Sequence, residues 1–310
     1  MRLLSCGSIL CSLLLATSVA AQKPPYVDQC NDWQGKRFSV DARIDGCTAA
    51  INSGRYRGKD LAWAYDNRGL AWYDKKDLAR AIADYDQATQ LDPNYAYAYN
   101  NRGIAWGDKK DYDRAVADYD NAIRINPRYA SAYYNRGKAW SEKKDYDRAL
   151  ADYDEAIRLN PNYTYAYNER GLIWHLRGDY DRAIADYDQA INTDPNYFMP
   201  YNNRCFTRAV VGNELQKALA DCNESLRLKP DGVNALNSRG LVYLKLRAFD
   251  QAITDYSAAI TQDAKDADSL YGRGLAKLQS GDTAGGNADV ATAKAIDPDI
   301  AALYASYRVK

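Results

Sequence analysis

Two runs of apolar positions lie between Tyr99 and Ala122, and both keep helical spacing. Tyr99, Gly103 and Trp106 fall at i, i+4 and i+7, one face of a helix; after the polar turn "GDKKD", Ala115, Tyr119 and Ala122 repeat the same interval. Pro127 closes the unit. The pattern predicts two antiparallel helices whose small residues permit close approach while the rings fill the space between them. Mid-helix glycine costs about 1 kcal/mol relative to alanine, so close packing must offset it.

The same unit recurs along most of the chain. Its clearest marker is an arginine, at Arg68, Arg102, Arg136, Arg170, Arg204, Arg239 and Arg273, with separations of 34, 34, 34, 34, 35 and 34 residues. A fixed period of this size means stacked repeats. The windows are 62–95, 96–129, 130–163, 164–197, 198–232, 233–266 and 267–300, and the one extra residue sits in "VGNEL", between two predicted helices. Six windows close with proline, and the sixth in order has Ala264 instead.

The series of tyrosine, glycine, tryptophan, alanine, tyrosine, alanine and proline resembles the tetratricopeptide repeat, and seven repeats match over residues 62–300. The resemblance implies an all-α, right-handed superhelical solenoid of antiparallel helix pairs, with a concave groove lined by the first helices that holds a peptide or a partner's helix. Carried over position by position, it implies groove rows of Trp63, Tyr97, Ser131, Tyr165, Met199 and Asn234, then Asp66, Asn100, Tyr134, Asn168, Asn202 and Asn237, then Leu70, Ile104, Lys138, Leu172, Phe206 and Leu241. A carboxamide offers both donor and acceptor to an extended backbone, which gives the asparagines a binding role. The alternative is solvated polar surface with no ligand. Only Lys138 is basic in these rows, unlike the lysine-rich clamp of chaperone-binding members of the family.

The arginine departs from the family pattern, which usually has leucine there. An arginine beside glycine suggests phosphate binding, but every window with the arginine also carries an aspartate in its second helix. The expected ion pairs are Arg68–Asp84, Arg102–Asp118, Arg136–Asp152, Arg170–Asp186, Arg204–Asp221, Arg239–Asp255 and Arg273–Asp289. Neighbouring acids are less regular, since Asp86 and Asp120 correspond to Asn223, Ser257 and Ala291 later.

The ends read differently. Arg2, an apolar run to Ala16 and "TSVAAQ" make residues 1–21 a signal peptide, cleaved after Ala20 or Ala21. Residues 22–61 read as a degenerate leading repeat that caps the array, and 301–310 as a C-terminal capping helix. Gly285 and Gly286 are expected to weaken the last second helix. Export makes the cysteine environment oxidising. Four cysteines lie beyond the signal segment, and three pairings are possible. Repeats touch only their neighbours, and Cys205 and Cys222 jointly replace the close-approach glycine and the tyrosine opposite it. That favours Cys205–Cys222 with Cys30–Cys47; buried free thiols are the alternative.

Composition narrows the function. With 41 basic and 41 acidic residues in 310, no net field draws in nucleic acid or an anionic membrane, and no apolar run beyond the signal segment is long enough to span a bilayer. The single histidine, His175, cannot build a triad or a histidine-rich metal site, and no phosphate-binding glycine loop follows a strand. The expectation is a non-enzymatic protein without cofactor or metal: an exported, periplasmic or secreted scaffold that binds a protein or peptide in the groove. The alternative is a non-catalytic glycan or cell-wall binder that stacks sugars on Tyr97, Tyr134 and Tyr165.

Overall fold

A computed structural model describes residues 24–309; the signal segment and its cleavage position lie outside them. Among the described residues there are seventeen α-helices and no strand. They follow one another as α1 (Pro25–Cys30) and α2 (Val40–Asn52), a 3₁₀ turn at Gly58–Leu61, α3 (Ala62–Asp74) and α4 (Leu78–Leu91), α5 (Ala96–Asp108) and α6 (Tyr112–Ile125), α7 (Ala130–Glu142) and α8 (Tyr146–Leu159). The series continues with α9 (Thr164–Leu176) and α10 (Tyr180–Thr193), α11 (Phe198–Val211) and α12 (Leu215–Leu228), α13 (Val233–Lys245) and α14 (Phe249–Gln262), α15 (Ala267–Ser280) and α16 (Thr283–Ile296), and α17 (Ile300–Ser306). The chain divides into two compact units at Asn101–Arg102, and each is described by itself. Within each unit, helices adjacent in sequence pack as pairs, α1 on α2 and α3 on α4 in the first, α7 on α8, α9 on α10, α11 on α12, α13 on α14 and α15 on α16 in the second.

The pairs close on a glycine and a ring. A Cβ built on Gly103 would come within 2.6 Å of the Tyr119 ring, and one on Gly137 within 2.8 Å of the Tyr153 ring. Any larger residue must push the tyrosine out of a core position that is almost fully buried. In α11 and α12 the same seat is filled by Cys205 and Cys222, whose sulfurs lie 2.01 Å apart with Cα atoms at 5.5 Å. Cys30 and Cys47 join α1 to α2, with sulfurs 2.08 Å apart.

The turn within a pair is fixed by an aspartate. Asp111, Asp145 and Asp179 accept the backbone N–H three residues on and also bond the Nε of that residue, Arg114, Arg148 or Arg182. Each guanidinium then lies 3.7–3.9 Å from the ring centre of the tryptophan closing the preceding helix, Trp106, Trp140 or Trp174. Between pairs, the residue before the proline position makes the turn. Asp92, Asn126, Asn160, Asp194 and Asp263 each accept the N–H two residues on. Asp263 does so before Ala264, so the turn forms without the proline, and Lys229 before Pro230 forms it with no side-chain acceptor, its carbonyl accepting the Gly232 N–H at 3.2 Å.

Both ends carry local features of their own. The leading pair has only six residues in its first helix, and Asp32 replaces the missing turns by accepting N–H groups from Lys36, Arg37 and Phe38. Helix α16 runs unbroken through Gly285 and Gly286. Gly286 occupies the small-residue position of Ala252, and a Cβ there would meet Leu278 at 2.6 Å, so the close packing that needs a small side chain also holds the helix.

Candidate functional site

The recurring arginine is structural. In every one of the seven windows its Nε and Nη2 donate to the two oxygens of one aspartate, at 2.5–2.9 Å: Arg68 to Asp84, Arg102 to Asp118, Arg136 to Asp152, Arg170 to Asp186, Arg204 to Asp221, Arg239 to Asp255 and Arg273 to Asp289. The remaining Nη1 turns to the second helix of the preceding pair. It reaches Thr48 from Arg68, Asp120 from Arg136, Asp154 from Arg170, Asp188 from Arg204, Asn223 from Arg239 and Ser257 from Arg273. The irregular neighbouring position, 16 residues before the arginine, is therefore a second acceptor from Arg136 onward, whether carboxylate, amide or hydroxyl, and Arg68 uses Thr48, 20 residues before it, instead. Burial alone would lower the Arg136 guanidinium, but Asp152 and Asp120 outweigh it and raise its pKa, so the group stays charged. Its donors are committed, and a phosphate would have to displace two carboxylates.

Part of the expected groove is closed. Asp66, Asn100 and Asn168 are buried, not open to a ligand. In the first unit Asp66 accepts from Tyr95 Oη at 3.2 Å and from Asn101 Nδ2 at 2.9 Å. In the second, Asn168 Oδ1 accepts from Asn203 Nδ2 at 3.0 Å while its own Nδ2 donates to Glu169 at 3.2 Å. The cause is the residue 35 positions on, which folds its amide back over the preceding first helix. Trp63 also turns inward, half-buried against the Cys30–Cys47 cluster with Tyr56 edge-on at 5.5 Å. Asn237 is half-buried and spent on Asp266 and Ser269. Asn202 is half-buried too, and its Oδ1 meets no donor.

What stays open includes Lys138 and Asn234 but is mostly apolar. Tyr97 is exposed in the first unit, next to Tyr95 at 6.1 Å between ring centres. In the second unit Tyr165, Leu172 and Leu176 lie at i, i+7 and i+11 of α9 and are 49, 37 and 58% exposed, and Met199 is exposed on α11. Tyr165 stands 5.1 Å from Tyr197, 6.5 Å from Tyr163 and 6.4 Å from the half-buried Tyr134. Beneath them Glu169 has its pKa raised by burial, with the Asn168 amide and Lys138 opposing. His175 on α9 bonds Thr207 at 2.8 Å, and burial lowers its pKa. Sequence reading passed over Leu176, Tyr163 and Tyr197. The signals were present: Leu176 stands where earlier repeats have Asp74, Asp108 and Glu142, and Tyr95, Tyr129, Tyr163 and Tyr197 recur at the repeat period. Among the described residues no helix is long and apolar enough to cross a membrane.

Consecutive helix pairs, each closed by a small residue against a ring, define an all-α helical-repeat protein. Sequence profiles described as tetratricopeptide repeat match residues 130–163, 164–197 and 237–299, and one described as TPR repeat matches 69–107 and 108–143. The chain belongs to the tetratricopeptide repeat family. A 63-residue stretch is 43% identical to DnaJ homolog subfamily C member 3 of Rattus norvegicus and 41% to that of Mus musculus, covering 20% of this chain and 12% of those relatives' length. Among solved structures, YrrB, "a TPR protein with an unusual peptide-binding site", is 26% identical with a TM-score of 0.50 over 63% of this chain and 98% of its own. A tetratricopeptide repeat protein of Parabacteroides merdae is 18% identical with a TM-score of 0.60 over 81% of this chain and 98% of its own. The APC/C hetero-tetramer Cut9-Hcn1 gives a TM-score of 0.67 at 14% identity, over 91% of this chain and 54% of the matched one. The latter two show the fold.

Proposed function

We propose that the protein is a non-catalytic interaction scaffold of the cell envelope that binds a peptide or partner protein on the open faces of its first helices. The observation that carries this reading is the stripe Tyr165, Leu172 and Leu176 on α9. Three large apolar side chains exposed on one face of one helix lose free energy to water and regain it only when covered. The likeness to a peptide-binding repeat protein supports the same reading. So do the two cysteine pairs, which require an oxidising compartment, and the leader-like residues 1–21.

The glycan reading rests on the exposed rings of Tyr97 and Tyr165. Sugar stacking calls for an open, flat aromatic face, whereas Tyr134 is half-buried and the rings around Tyr165 and Tyr134 meet at 41–80°. Peptide binding is therefore favoured. The test compares the protein with its Leu172→Asp/Leu176→Asp variant in pull-downs from envelope extract and on purified wall polymer. Partner retention should fall at least tenfold in the variant with an unchanged helical melt. Full retention by the variant, or retention on wall polymer alone, would overturn the proposal.

A further inference from the structure

Two residues that line one cavity in the second unit each carry a buried oxygen that meets no donor. Asn202 Oδ1, on α11, and Asp268 Oδ1, in the first turn of α15, lack a hydrogen-bond partner, and both residues line the same cavity of about 190 Å³. Asn234, Asn237, Ser238 and Leu241 of α13 and the rings of Phe206, Tyr304 and Tyr307 complete its wall. The space far exceeds the roughly 30 Å³ of a single water. No lysine or arginine lines it.

Two of the lining's donors are already committed, Asn237 to Asp266 and Ser238 to the Asn234 carbonyl, and what is left unmatched is one-sided. Both orphaned atoms are acceptors, and one belongs to a carboxylate. Asp266 adds a second negative charge beside Asp268, while its oxygens are taken up by Asn237, Ser269 and the Asp268 N–H. Tyr304 is held in place by donating to the Asp268 carbonyl at 3.0 Å, and Tyr307 packs on it with ring centres 5.5 Å apart. A buried carboxylate oxygen without a donor is costly, and a cation relieves that cost. Burial raises the Asp268 carboxyl to about 6, opposed by the Tyr304 hydroxyl and reinforced by Asp266.

We infer that this cavity is a binding pocket for a primary ammonium group, carried by a lysine side chain of a bound segment. An ammonium has three donors and no acceptor, matching acceptors that come from two separate helices. A guanidinium fork instead suits two parallel oxygens of one carboxylate. The aromatic and leucine wall suits the aliphatic stem, and rings near a cation add attraction. The pocket stands on α11, α13, α15 and the chain around α17, and not on the α9 stripe, so either reading can fail without the other.

The test titrates N-acetyl-lysine N-methylamide into the disulfide-bonded protein and follows the side-chain amide NMR signals of Asn202 and Asn237. Saturable shifts are expected, with none from the Nε-acetylated counterpart. Asp268→Asn should weaken binding at least tenfold, as loss of a charge-assisted hydrogen bond requires, while its melting temperature holds or rises. Asn202→Ala, a second variant, should weaken binding several-fold and carries the test if Asp268→Asn fails to fold. Alanine N-methylamide, with its free α-ammonium, is the other arm: tighter binding than the lysine probe would support the ammonium site and move its source to a chain terminus. Equal binding of the acetylated probe, wild-type affinity in Asp268→Asn, or no binding of either ammonium overturns the inference.

Discussion

Asp66 and Asn168 hold the same place on the first helices of two repeats, and they differ by one heavy atom. Both are buried, and both accept from an amide 35 residues on. Asp66 bears a charge at that depth, and burial pushes its pKa from 3.8 to about 6, against the hydrogen bonds from Asn101 and Tyr95. A carboxyl raised in the fold binds more protons than in the unfolded chain, so stability falls as pH rises from about 4 to 6 and the deficit is complete above that. Asp66→Asn should therefore stabilise the protein by about 1–3 kcal/mol at pH 7.5 and flatten its pH dependence between 4 and 6, as read by urea melts; equal stability at pH 7.5 would show the charge is tolerated. The arginine ladder makes a second prediction. A double-mutant cycle on Arg136 and Asp152 should give a coupling of about 0.5–3 kcal/mol, whereas additive losses would mean the pair contributes nothing as a pair. That pairing was legible because both partners recur at one spacing. The burial of Asp66 and Asn168 was not, because it depends on which way the amide 35 residues later points.

At the scale of the element, one turn position separates the repeats into two groups. Lys76, Lys110, Lys144 and Arg247 adopt positive φ between their paired helices, and Gly178, Gly212 and Gly281 do so at the corresponding place. A side chain in that left-handed region costs about 1–2 kcal/mol, part of which glycine returns as lost chain entropy. Lys144→Gly should thus stabilise the fold by about 0.5–1 kcal/mol, and Gly178→Lys should destabilise it by a similar amount, both measured by thermal melts. If both changes are neutral, these turns carry no strain. Helix extents and pairing were legible from apolar spacing. The causes of the turns were read less well: proline drew attention, whereas Asp263 before Ala264 turns with a side-chain acceptor alone and Lys229 before Pro230 turns without one, so either suffices. At Gly285 and Gly286 propensity says that glycine weakens a helix, while α16 is continuous there and the closeness of Leu278 calls for a small residue at 286.

For the molecule as a whole, near-neighbour packing decides how far any perturbation travels. Within each unit a helix meets chiefly those beside it in sequence, so the stability of a unit is close to a sum of local pair and interface contributions. The two cysteine pairs are local in the same sense, each joining residues 17 apart, one in each unit. The sequence could propose these pairings because such an array forbids distant ones, but it could not foresee that Cys30 ties down a first helix of only six residues. A crosslink of this span removes about 3 kcal/mol of unfolded-chain freedom. Reduction should accordingly lower stability near each pair and leave the rest of its unit alone. Hydrogen exchange after reduction and alkylation should rise in α1 and α2 and in α11 and α12, while α7 and α8 keep their protection. Cys205→Gly/Cys222→Tyr, which restores the glycine and ring of the other repeats, should recover most of the protection in α11 and α12 without any bond. Uniform loss of protection across α7 and α8 would show that the second unit unfolds as one block. Failure of the glycine and tyrosine pair to recover protection would show that this repeat has come to depend on its crosslink.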